Sequence, residues 1–582
     1  MNNSSTQGFD FLLDASEYKT IPCQRTCPLH VDISSFMYLV ARGRFDEANA
    51  VIRKTNPFPS VCGRVCPHNC EMGCTRTHVD ESVSIGKTER AASDYGHQNI
   101  EIKKNLNRGP KIAVIGSGPC GLAAALDLVR VGYRVTVYEK ASVAGGTIRL
   151  GIAPFRLPNN IVDKEVEYIT NMGVHIKTNT QIGKDIPFEK LQEDYSAIFI
   201  AAGAYSGGQL HLQDREIKEV KNGATFMSRV NTGKSVGIKG QKVVVVGGGY
   251  TSVDAARTAV RLGAKKVSIV FARARKEMTN TEDELKATED EGVCFHLLAM
   301  PNKPVTDPKN KITGLECVKV EIKGKDALGR KVVAPIKGTE FVIDADTIIN
   351  ALNTAPDTSF LPDNAGFKFS KIGLLSANAK TMETNIPGIF IGGDYLIGTR
   401  DVVNSIADGH KAAISIDAYL RKGDGNTPKP HDVKLFEGKL PDMHIHYETI
   451  PRAIMPLQDP IKRITNFKEV EIGLSAKDAR SEAQRCLQCN NMWILDDESC
   501  IQCGQCVEVC PRNCLSMAEL NNEQKDQFFY EGMDLTKDKI PPVSVTLKQC
   551  IRCGVCEEVC PSDAISFKTC EPTNIKVLSS ID

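Results

Sequence analysis

Two stretches in the middle of the chain share one pattern of apolar and polar positions. Residues 111–140, KIAVIGSGPCGLAAALDLVRVGYRVTVYEK, run from a short apolar segment through a glycine turn and an apolar helical segment to a second apolar run. Residues 241–275, QKVVVVGGGYTSVDAARTAVRLGAKKVSIVFARAR, repeat this order. Short continuous apolar runs bounded by turn residues are typical of buried strands. Both stretches therefore predict a strand–turn–helix–strand unit.

The first glycine turn indicates a dinucleotide site. Gly116, Gly118 and Gly121 form a G-x-G-x-x-G turn between strand and helix, and Glu139 ends the second strand. Glycines at these positions let the backbone approach a pyrophosphate at the helix N-terminus. A carboxylate at the end of the second strand accepts a hydrogen bond from a ribose hydroxyl.

The second unit keeps Gly247 and Gly249 but has Ser252 in place of the third glycine. No carboxylate ends its second strand, and Arg273 and Arg275 follow that strand instead. A free ribose favours a carboxylate, whereas a 2′-phosphate favours an arginine. The pattern favours NADP over NAD, with a solvated charged face as the alternative role for the two arginines.

Three later apolar runs fit the same architecture. Residues 197–207 and 347–357 predict short strands that end in small residues, and residues 388–413 predict a strand, a Gly-Gly-Asp turn and a helix that begins near Asp401. Two dinucleotide folds in one chain suggest a flavin in the first and a nicotinamide nucleotide in the second. The chain is expected to leave the flavin domain near residue 225 and to return near 345. These runs supply three further candidate flavin contacts, Gly203, Gly393 and Asp394.

Composition adds few constraints. The chain has 582 residues, a hydrophobic content of 41%, a charged content of 25% and a formal net charge of +1. Such a balance gives no electrostatic reason to expect nucleic acid or an anionic membrane as a partner. No signal-peptide pattern opens the sequence, and no apolar run reaches the ~20 residues of a membrane span. A cytoplasmic protein of several domains is expected.

The 21 cysteines do change the picture, because nearly all of them fall in residues 23–74 and 486–570. Clustered cysteines in a reducing compartment usually indicate metal. Residues 500–511 and 550–561 each read C-x2-C-x2-C-x3-C-P, the run of bacterial ferredoxins with two clusters, in which the fourth cysteine binds the other cluster. Zinc, which prefers two separated C-x2-C pairs, is the alternative. The predicted ligands are Cys500, Cys503, Cys506 and Cys560 for one cluster, and Cys550, Cys553, Cys556 and Cys510 for the other.

Some cysteines remain outside this scheme. Cys514 and Cys570 have no predicted role, and residues 520–542 are expected to form an inserted loop. Cys486 and Cys489, in the RCLQC segment at 485–489, are two thiols without visible partners.

Several stretches together resemble the glutamate synthase small-subunit family. That family includes the N-terminal half of dihydropyrimidine dehydrogenase and the large subunit of NADH-dependent ferredoxin:NADP oxidoreductases. The resemblance covers roughly residues 20–420 and 460–490, and the C-terminal module resembles an appended ferredoxin. The stretches that carry it are NPFPSVCGRVCPHNCEMGC, SIGKTERAASDYG, GGTIRLGIAPFRLP (which contains Gly146, a further candidate flavin contact), GGGYTSVDAART, GGD at 392–394 and RCLQC.

The resemblance implies an N-terminal helical domain with two [4Fe-4S] clusters. It assigns Cys23, Cys74, Cys486 and Cys489 to one cluster, and Cys27, Cys66, Cys70 and Glu89 to the other. Cys62 is left over. One alternative places Cys62, Cys66, Cys70 and Cys74 around a single site, and Glu89 could instead form a surface ion pair beside Arg90.

The expected fold class is α/β, with two Rossmann-like domains that bind FAD and NAD(P), an N-terminal α-helical iron–sulfur domain and a C-terminal α+β domain like a bacterial ferredoxin. The expected boundaries are 1–105 for the helical domain, 106–225 and 346–425 for the FAD domain, 226–345 for the NAD(P) domain, 426–495 for a linker that returns RCLQC to the helical domain, and 496–582 for the ferredoxin domain.

The expected function is transfer of electrons between NAD(P)H and ferredoxin or a partner subunit, through FAD and four [4Fe-4S] clusters. The cofactors carry this chemistry, so no catalytic acid, base or nucleophile is expected. The setting would be an anaerobic redox complex; electron bifurcation stays open because it depends on flavin potentials. A glutamate synthase small subunit and a non-enzymatic electron-transfer scaffold are the alternatives. Departures from the family at Tyr250, Ala272–Arg273 and Met278–Asn280 keep NAD open as the nucleotide.

Overall fold

The chain folds into two compact units in the computed structural model. One contains residues 109–421 and 456–472, and the other contains residues 21–97, 449–455 and 473–569. The residues described are 21–97, 109–204, 206–207, 219–325, 331–352, 354–370, 373–398, 400–421, 449–489, 491–496, 498–517, 543–545, 550–551 and 553–569. The predicted loop at 520–542 and Cys570 lie outside them.

The N-terminal part of the second unit is helical, as predicted. Its longest helices bury apolar faces that include Phe36 and Val40, and Asp32 caps one of them by accepting a hydrogen bond from the Ser35 backbone N–H at 3.2 Å. The helices are Pro22–Thr26, Ile33–Ala41, Phe45–Ile52, Pro59–Val65, Asn69–Met72 and Ile85–Tyr95, with a 3₁₀ turn at Thr75–His78.

The first unit consists of sheets covered by helices. Its strands are β1 (Lys111–Ile115), β2 (Arg134–Tyr138), β3 (His175–Lys177), β4 (Ala197–Ile200), β5 (Ser206–Gly207), β6 (Val220–Asn222), β7 (Lys242–Val246), β8 (Lys266–Phe271), β9 (Val293–Leu297), β10 (Ala299–Thr306), β11 (Ile312–Lys325), β12 (Lys331–Asp344), β13 (Thr347–Asn350), β14 (Thr354–Ala355) and β15 (Ile389–Ile391). Its helices are Pro119–Arg130, Thr147–Leu150, Asn159–Asn171, Phe188–Asp194, Gly223–Asn231, Tyr250–Arg261, Glu282–Asp290, Asp394–Ile397, Val402–Arg421 and Pro460–Arg463, with 3₁₀ turns at Arg275–Glu277 and Asp363–Ala365.

The predicted flavin domain is built on a parallel sheet of order β15-β4-β1-β2-β3. The central strands are buried along almost their whole length, which is why they read as continuous apolar runs. The helix Val402–Arg421 begins directly after Asp401, whose carboxylate accepts a hydrogen bond from the Asn404 backbone N–H at 2.9 Å. The predicted Rossmann-like α/β fold is confirmed.

The second parallel sheet has the order β6-β13-β7-β8-β9. It takes in β6 and β13, which the sequence assigned to the two halves of the flavin domain. This sheet therefore spans residues 220–350, a few residues beyond each end of the range 226–345 that the sequence predicts for the nucleotide domain. The physical reason is that the buried strand β13 pairs on one side with β7 and on the other with β6, and local sequence does not specify such non-local pairing.

An antiparallel sheet of order β10-β11-β12 follows β9, and the sequence pattern did not predict it. The short strands β5 and β14 form an antiparallel pair, with Thr354 opposite Gly207. They lie on the two chain segments that run between the parallel sheets, so the outgoing and returning segments are held side by side.

The region predicted as a linker is divided between the two units. Residues 456–472 belong to the first unit, where the Val470 N–H donates to the Phe155 carbonyl oxygen at 2.8 Å. Arg463 forms an ion pair with buried Glu291 at 2.8 Å. Glu291 also accepts hydrogen bonds from Arg257 at 2.7 Å and from Arg261 at 2.6 Å. This buried carboxylate therefore joins the returning segment to the nucleotide domain.

The C-terminal part of the second unit has the α+β character expected of a ferredoxin. It follows the helix Ala476–Gln484, which Ser475 caps by accepting a hydrogen bond from the Asp478 N–H at 3.1 Å. Its antiparallel pairs are β16 (Asn491–Leu495) with β19 (Ile565–Thr569), and β17 (Leu515–Met517) with β18 (Val543–Val545). The helices Gln505–Glu508 and Val555–Glu558 each lie within one of the two cysteine runs.

Candidate functional site

A cavity of about 380 Å³ lies at the carboxyl ends of β1, β4 and β15. This is where parallel α/β sheets bind ligands, and the volume falls in the ordinary range for ligand pockets. Seven of the eight predicted flavin contacts line it: Gly116, Gly118, Glu139, Gly146, Gly203, Gly393 and Asp394.

Gly121, the eighth predicted contact, does not line the cavity. A Cβ atom on this residue would lie 2.2 Å from the Gly116 carbonyl oxygen. Gly116 itself has φ +103°, and a Cβ there would lie 2.4 Å from the Ala201 carbonyl oxygen. Gly121 thus allows the helix to pack against the turn, which is the part played by the third glycine of the motif.

Glu139 is buried and already oriented. Its carboxylate accepts hydrogen bonds from the Ser117 N–H at 3.0 Å, the Ser117 hydroxyl at 2.6 Å and the Ala141 N–H at 2.8 Å. A carboxylate has about four acceptor positions, so one is left for a ribose hydroxyl. The donor set around Glu139 fits the adenosine end of a dinucleotide.

Another part of the cavity lining, around Asp394 and Arg400, carries charges of both signs. Asp394 accepts a hydrogen bond from the Arg400 N–H at 3.0 Å, and burial raises the pKa of Asp394 to about 6. The Gly393 N–H donates to Asp408 at 3.2 Å, and the Arg400 guanidinium pairs with the same carboxylate. Arg400 and the buried Cys120 also line the cavity and are not among the predicted contacts; the sequence signal for Arg400 is its position between the Gly-Gly-Asp turn and the following helix.

The second glycine turn, at Gly247 and Gly249, connects β7 to the helix Tyr250–Arg261. The Ser252 hydroxyl, which stands where the third glycine was expected, donates to the Gly249 carbonyl oxygen at 2.6 Å. Ser252 is buried, so its side chain completes the turn internally. The Thr279 N–H donates to the Gly248 carbonyl oxygen at 3.3 Å. The segment Met278–Asn280, which differs from the family pattern, therefore lies against this turn.

The two candidate arginines differ in their surroundings. Arg275 donates to Glu282 at 2.9 Å and to Glu289 at 2.6 Å, so two carboxylates hold its guanidinium. For Arg273 the described residues provide no hydrogen-bond or ion-pair partner to the guanidinium. Of these two arginines, Arg273 is therefore the one that is free for a ligand phosphate within the described part of the chain.

Cys23, Cys74, Cys486 and Cys489, the first cluster site, line one small cavity of about 20 Å³. Burial raises the pKa of Cys23 well above its ordinary value, and the neighbouring Cys74, Cys489 and Cys486 raise it further. Thiols crowded in this way bind as thiolates only when a cation compensates their charge. The donor set therefore fits an iron–sulfur cluster.

Arg485 holds the RCLQC segment in place. Its guanidinium is completely buried and donates to the carbonyl oxygens of Glu81 at 2.9 Å and Ile450 at 3.1 Å, and to Asp80 at 3.0 Å. Arg76 donates to the Arg485 carbonyl oxygen at 2.9 Å. Hydrogen bonds to residues 76–81 and to Ile450 thus keep Cys486 and Cys489 beside Cys23 and Cys74.

The second cluster site brings Glu89 close to Cys27, Cys66 and Cys70. Burial raises the pKa of Cys70 well above its ordinary value, and the charges of Cys27, Cys66 and Glu89 contribute. Burial also raises the pKa of Glu89 to about 8, against a hydrogen bond donated by Asn56 at 2.7 Å. A buried carboxylate among thiols fits a metal ligand better than a surface ion pair.

The surroundings of Arg90 and of the cysteines bear on the two alternatives, an ion pair of Glu89 with Arg90 and a single site of four regularly spaced cysteines. Arg90 pairs with Asp94 at 3.1 Å, and Cys74 lines the first site. The thiol of Cys62, which the family pattern leaves over, donates to the Asn56 amide oxygen at 3.6 Å. This placement does not favour a single site formed by the four regularly spaced cysteines.

The two ferredoxin-type sites also have their predicted residues together. Burial raises the pKa of Cys506, with further contributions from Cys503, Cys500 and Cys560. A second cavity of about 20 Å³ is lined by Cys510, Cys550, Cys553 and Cys556, and also by Cys514. In the described part of the chain no group of His, Cys, Asp or Glu converges closely enough to hold a single metal ion. A cubane, whose ligands attach at separate corners, does not need such convergence.

Cys514 is a fifth thiol at this last site, and sequence analysis gave it no role. Its sulfur lies 3.3 Å from that of Cys510, and the side chain is buried. The matching position of the other cysteine run is Ala564. This difference between the two runs is the sequence signal that could have identified it.

We expect Cys514→Ala to keep its iron but to lower the midpoint potential of the cluster at Cys510, because hydrogen bonds to the ligand sulfurs raise cluster potentials. Cys514→Ser, which keeps a donor, should stay closer to the unchanged chain. Potentiometric titration followed by electron paramagnetic resonance measures this shift. Loss of a whole cluster in Cys514→Ala would instead make Cys514 a ligand.

Fold and sites together define a flavoprotein oxidoreductase with iron–sulfur domains before and after its core in the sequence. Residues 110–413 match the family described as pyridine nucleotide-disulphide oxidoreductase, residues 16–101 match dihydropyrimidine dehydrogenase domain II with its 4Fe-4S cluster, and residues 499–564 match the 4Fe-4S dicluster domain. The chain belongs to the pyridine nucleotide-disulphide oxidoreductase family, within its glutamate synthase small-subunit-like branch. It is an NAD(P)H-dependent FAD/iron–sulfur oxidoreductase.

Three relatives illustrate the similarity. The beta subunit of the NADP(+)-dependent formate dehydrogenase of Moorella thermoacetica is 35% identical over 82% of this chain and 72% of its own length. The beta subunit of the NADPH-Fe(3+) oxidoreductase of Geobacter sulfurreducens is 36% identical over 81% and 75%. The small chain of the NADPH glutamate synthase of Escherichia coli is 32% identical over 68% and 88%. Among the described residues, no helix is long and apolar enough to cross a membrane.

Proposed function

We propose that this chain is a subunit that moves electrons between NADPH and an iron–sulfur partner by means of FAD and four [4Fe-4S] clusters. The named relatives support the subunit role and the nucleotide, since each is a subunit or chain of an NADP- or NADPH-linked enzyme. Bifurcation forms no part of the proposal.

The chain's residues would hold the flavin in the 380 Å³ cavity. The Gly116–Gly118 turn would admit the pyrophosphate, Glu139 would accept from the ribose, and Asp394 would accept from the ribityl chain. Bound FAD supplies the conversion between the two electrons of a nicotinamide and the single electrons of clusters.

Sixteen ligands would hold the clusters in four sets. They are Cys23, Cys74, Cys486 and Cys489; Cys27, Cys66, Cys70 and Glu89; Cys500, Cys503, Cys506 and Cys560; and Cys510, Cys550, Cys553 and Cys556.

The observation that carries the proposal is the meeting of Cys23 and Cys74 with Cys486 and Cys489 at one buried cavity. Folding has to bring together segments from both ends of the sequence to form it. A merely structural role would not need four thiols at that point, whereas a [4Fe-4S] cluster takes four such ligands.

For the nucleotide, we assign the 2′-phosphate of NADPH to Arg273 and give Arg275 a structural role. The free guanidinium of Arg273 can donate charge-assisted hydrogen bonds, while Arg275 would first have to give up Glu282 and Glu289.

The test is an anaerobic titration with NADPH and, separately, with NADH, in which the flavin band and the cluster absorbance are followed. We expect bleaching by NADPH at low concentration. Arg273→Ala should weaken NADPH about 10- to 150-fold, the value of one or two charged hydrogen bonds, and leave NADH unchanged.

Arg275→Ala is the matched control, and its NADPH titration should follow that of the unchanged chain. If the unchanged chain prefers NADH, the electron-transfer function stands and the assignment of Arg273 fails. If neither nucleotide bleaches the flavin, the chain is an electron-transfer scaffold and the proposed function is wrong.

A further inference from the structure

The ferredoxin-type module consists of two corresponding halves. Each half has a glycine with positive φ within its cysteine run, +77° at Gly504 and +81° at Gly554, and a four-residue helix after it. The runs align without gaps, so each residue of one half has a counterpart fifty positions later. Ile501 therefore corresponds to Ile551, and Cys503 to Cys553.

The later half is covered by the chain itself. Ile551 is only 6% exposed, and it forms an apolar cluster with Ile21, Leu487 and Cys489. Cys23 and Cys553 pack against this cluster. The face around Ile551 is therefore an interface between two iron–sulfur sites, one formed by the Cys550 run and the other by Cys23, Cys74, Cys486 and Cys489.

The earlier half has no such cover within the described residues. Ile501 is 64% exposed, although its counterpart is buried. Cys503 is exposed as well, and it is the one exposed residue among the sixteen proposed ligands, all of which are described. Exposed isoleucine beside an exposed ligand thiol, at the position that its counterpart uses as an interface, is not explained by the fold.

We propose that the face formed by Ile501, Gln502 and Cys503, the open face, docks a separate iron–sulfur protein of the ferredoxin type. The inference rests on the proposed function, and it identifies the face at which electrons leave the chain. The later half of the module is the model for this contact. There the corresponding face packs, through Ile551, against a site formed by four cysteines. A partner at the open face would stand beside the only exposed ligand.

The step at this face is the transfer of one electron. A [4Fe-4S] cluster held by Cys500, Cys503, Cys506 and Cys560 would give up one electron, and the cluster of the docked protein would accept it. No bond forms or breaks, and no proton is needed. The site at Cys550 is covered by the chain's own helical domain, so electrons would reach it first. They would leave for the partner from the site at Cys500.

Ile501→Asn tests the open face without adding charge. A purified bacterial ferredoxin with two [4Fe-4S] clusters serves as the probe. Its dissociation constant with the full-length chain is measured by isothermal titration calorimetry under anaerobic conditions. Loss of one buried isoleucine contact should raise this constant about tenfold or more. Ile501→Val, which keeps a branched apolar side chain, should bind almost as the unchanged chain does.

Electron transfer is measured separately, with the chain reduced by dithionite, freed of excess reductant and mixed with oxidised ferredoxin in a stopped-flow instrument. This design bypasses the nucleotide, so a failure of NADPH reduction concerns only the proposed function. The second-order rate constant should fall about tenfold in Ile501→Asn, with the iron content unchanged. Ile461→Asn, at an isoleucine 78% exposed in the first unit, is the matched control and should behave as the unchanged chain.

Three results would overturn the proposal. One is an Ile501→Asn variant that retains its iron and binds and reduces ferredoxin as the unchanged chain does. Another is an unchanged chain that neither binds nor reduces the probe. The third is a dimer of the chain alone that Ile501→Asn converts to a monomer, since a second copy would then be the occupant of the open face.

Discussion

Replacement of both Cys486 and Cys489 by serine should remove about a quarter of the iron of the purified chain, because one of four proposed clusters loses two of its thiolates. Serine keeps the size of the side chain but is a poor ligand for iron. Arg485, which holds the segment against Asp80 and Glu81, is unchanged, so the backbone around the cavity should keep its place. The measurement is iron per bound FAD after anaerobic purification.

Two single variants serve as controls for this loss. Cys294→Ser changes an exposed cysteine outside all four proposed sites, and Cys62→Ala changes a buried cysteine beside Glu89 that is not among the sixteen proposed ligands. Both should retain all the iron. If the double serine variant also retains all of the iron, Cys486 and Cys489 are not ligands, and the first cluster site must have other ligands.

Substitution of Glu291 by glutamine is expected to cost about 3–5 kcal/mol of stability, the usual penalty for a buried charge that loses its partner. Glu291 receives Arg257, Arg261 and Arg463, and all four side chains are buried. Glutamine would leave three guanidinium groups without a counter-charge. For a domain of this size the unfolding temperature should fall by roughly 6 to 20 °C, which release of FAD fluorescence during heating can report.

The pH dependence of the same site has a defined sign. Burial acts to raise the pKa of Glu291, but the hydrogen bonds from Arg257 and Arg261 outweigh it and lower that pKa from 4.5 to about 2. Because the folded-state pKa lies below that of the unfolded chain, the stabilisation is fully present above pH 4.5 and is lost as the pH falls toward 2. The difference between the unchanged chain and Glu291→Gln should therefore shrink over that interval.

Asp163→Asn is the matched control, since Asp163 pairs with Arg149 near the surface. Exposed ion pairs contribute at most about 1 kcal/mol, so this variant should melt close to the unchanged chain. An equal effect of the two substitutions would show that the buried arginines reorganise without Glu291.

Much of the fold could be predicted because its central strands are buried on both faces. The apolar runs of β1, β4, β7 and β15 are continuous for that reason, and the glycine turns mark where helices begin. The assignment of β6 and β13 could not be predicted, since runs of three or four residues do not specify which sheet they join. The sheet β10-β11-β12 was missed because its exposed positions interrupt the apolar pattern.

The candidate sites divide along the same line. Cysteine runs and glycine turns are local, so their members could be named from spacing and from the family resemblance. The difference between Arg273 and Arg275 depends on Glu282 and Glu289, which a following helix brings back to the strand end. The position of Cys514 beside Cys510 is local, but its significance required comparison with Ala564 and the cavity that both cysteines line.

The cavity shared by Cys23, Cys74, Cys486 and Cys489 also determines when this site can form during synthesis of the chain. Roughly 400 residues must be translated after Cys74 before Cys486 exists, which takes about 20 to 80 s at about 5 to 20 residues per second. During that interval the first two thiols wait in a nascent domain whose Arg76 and Asp80 still lack Arg485. Delivery of the proposed cluster by the cell's assembly machinery would therefore follow almost complete translation, whereas the glycine turns of the flavoprotein core can form long before the ribosome reaches the last cysteines.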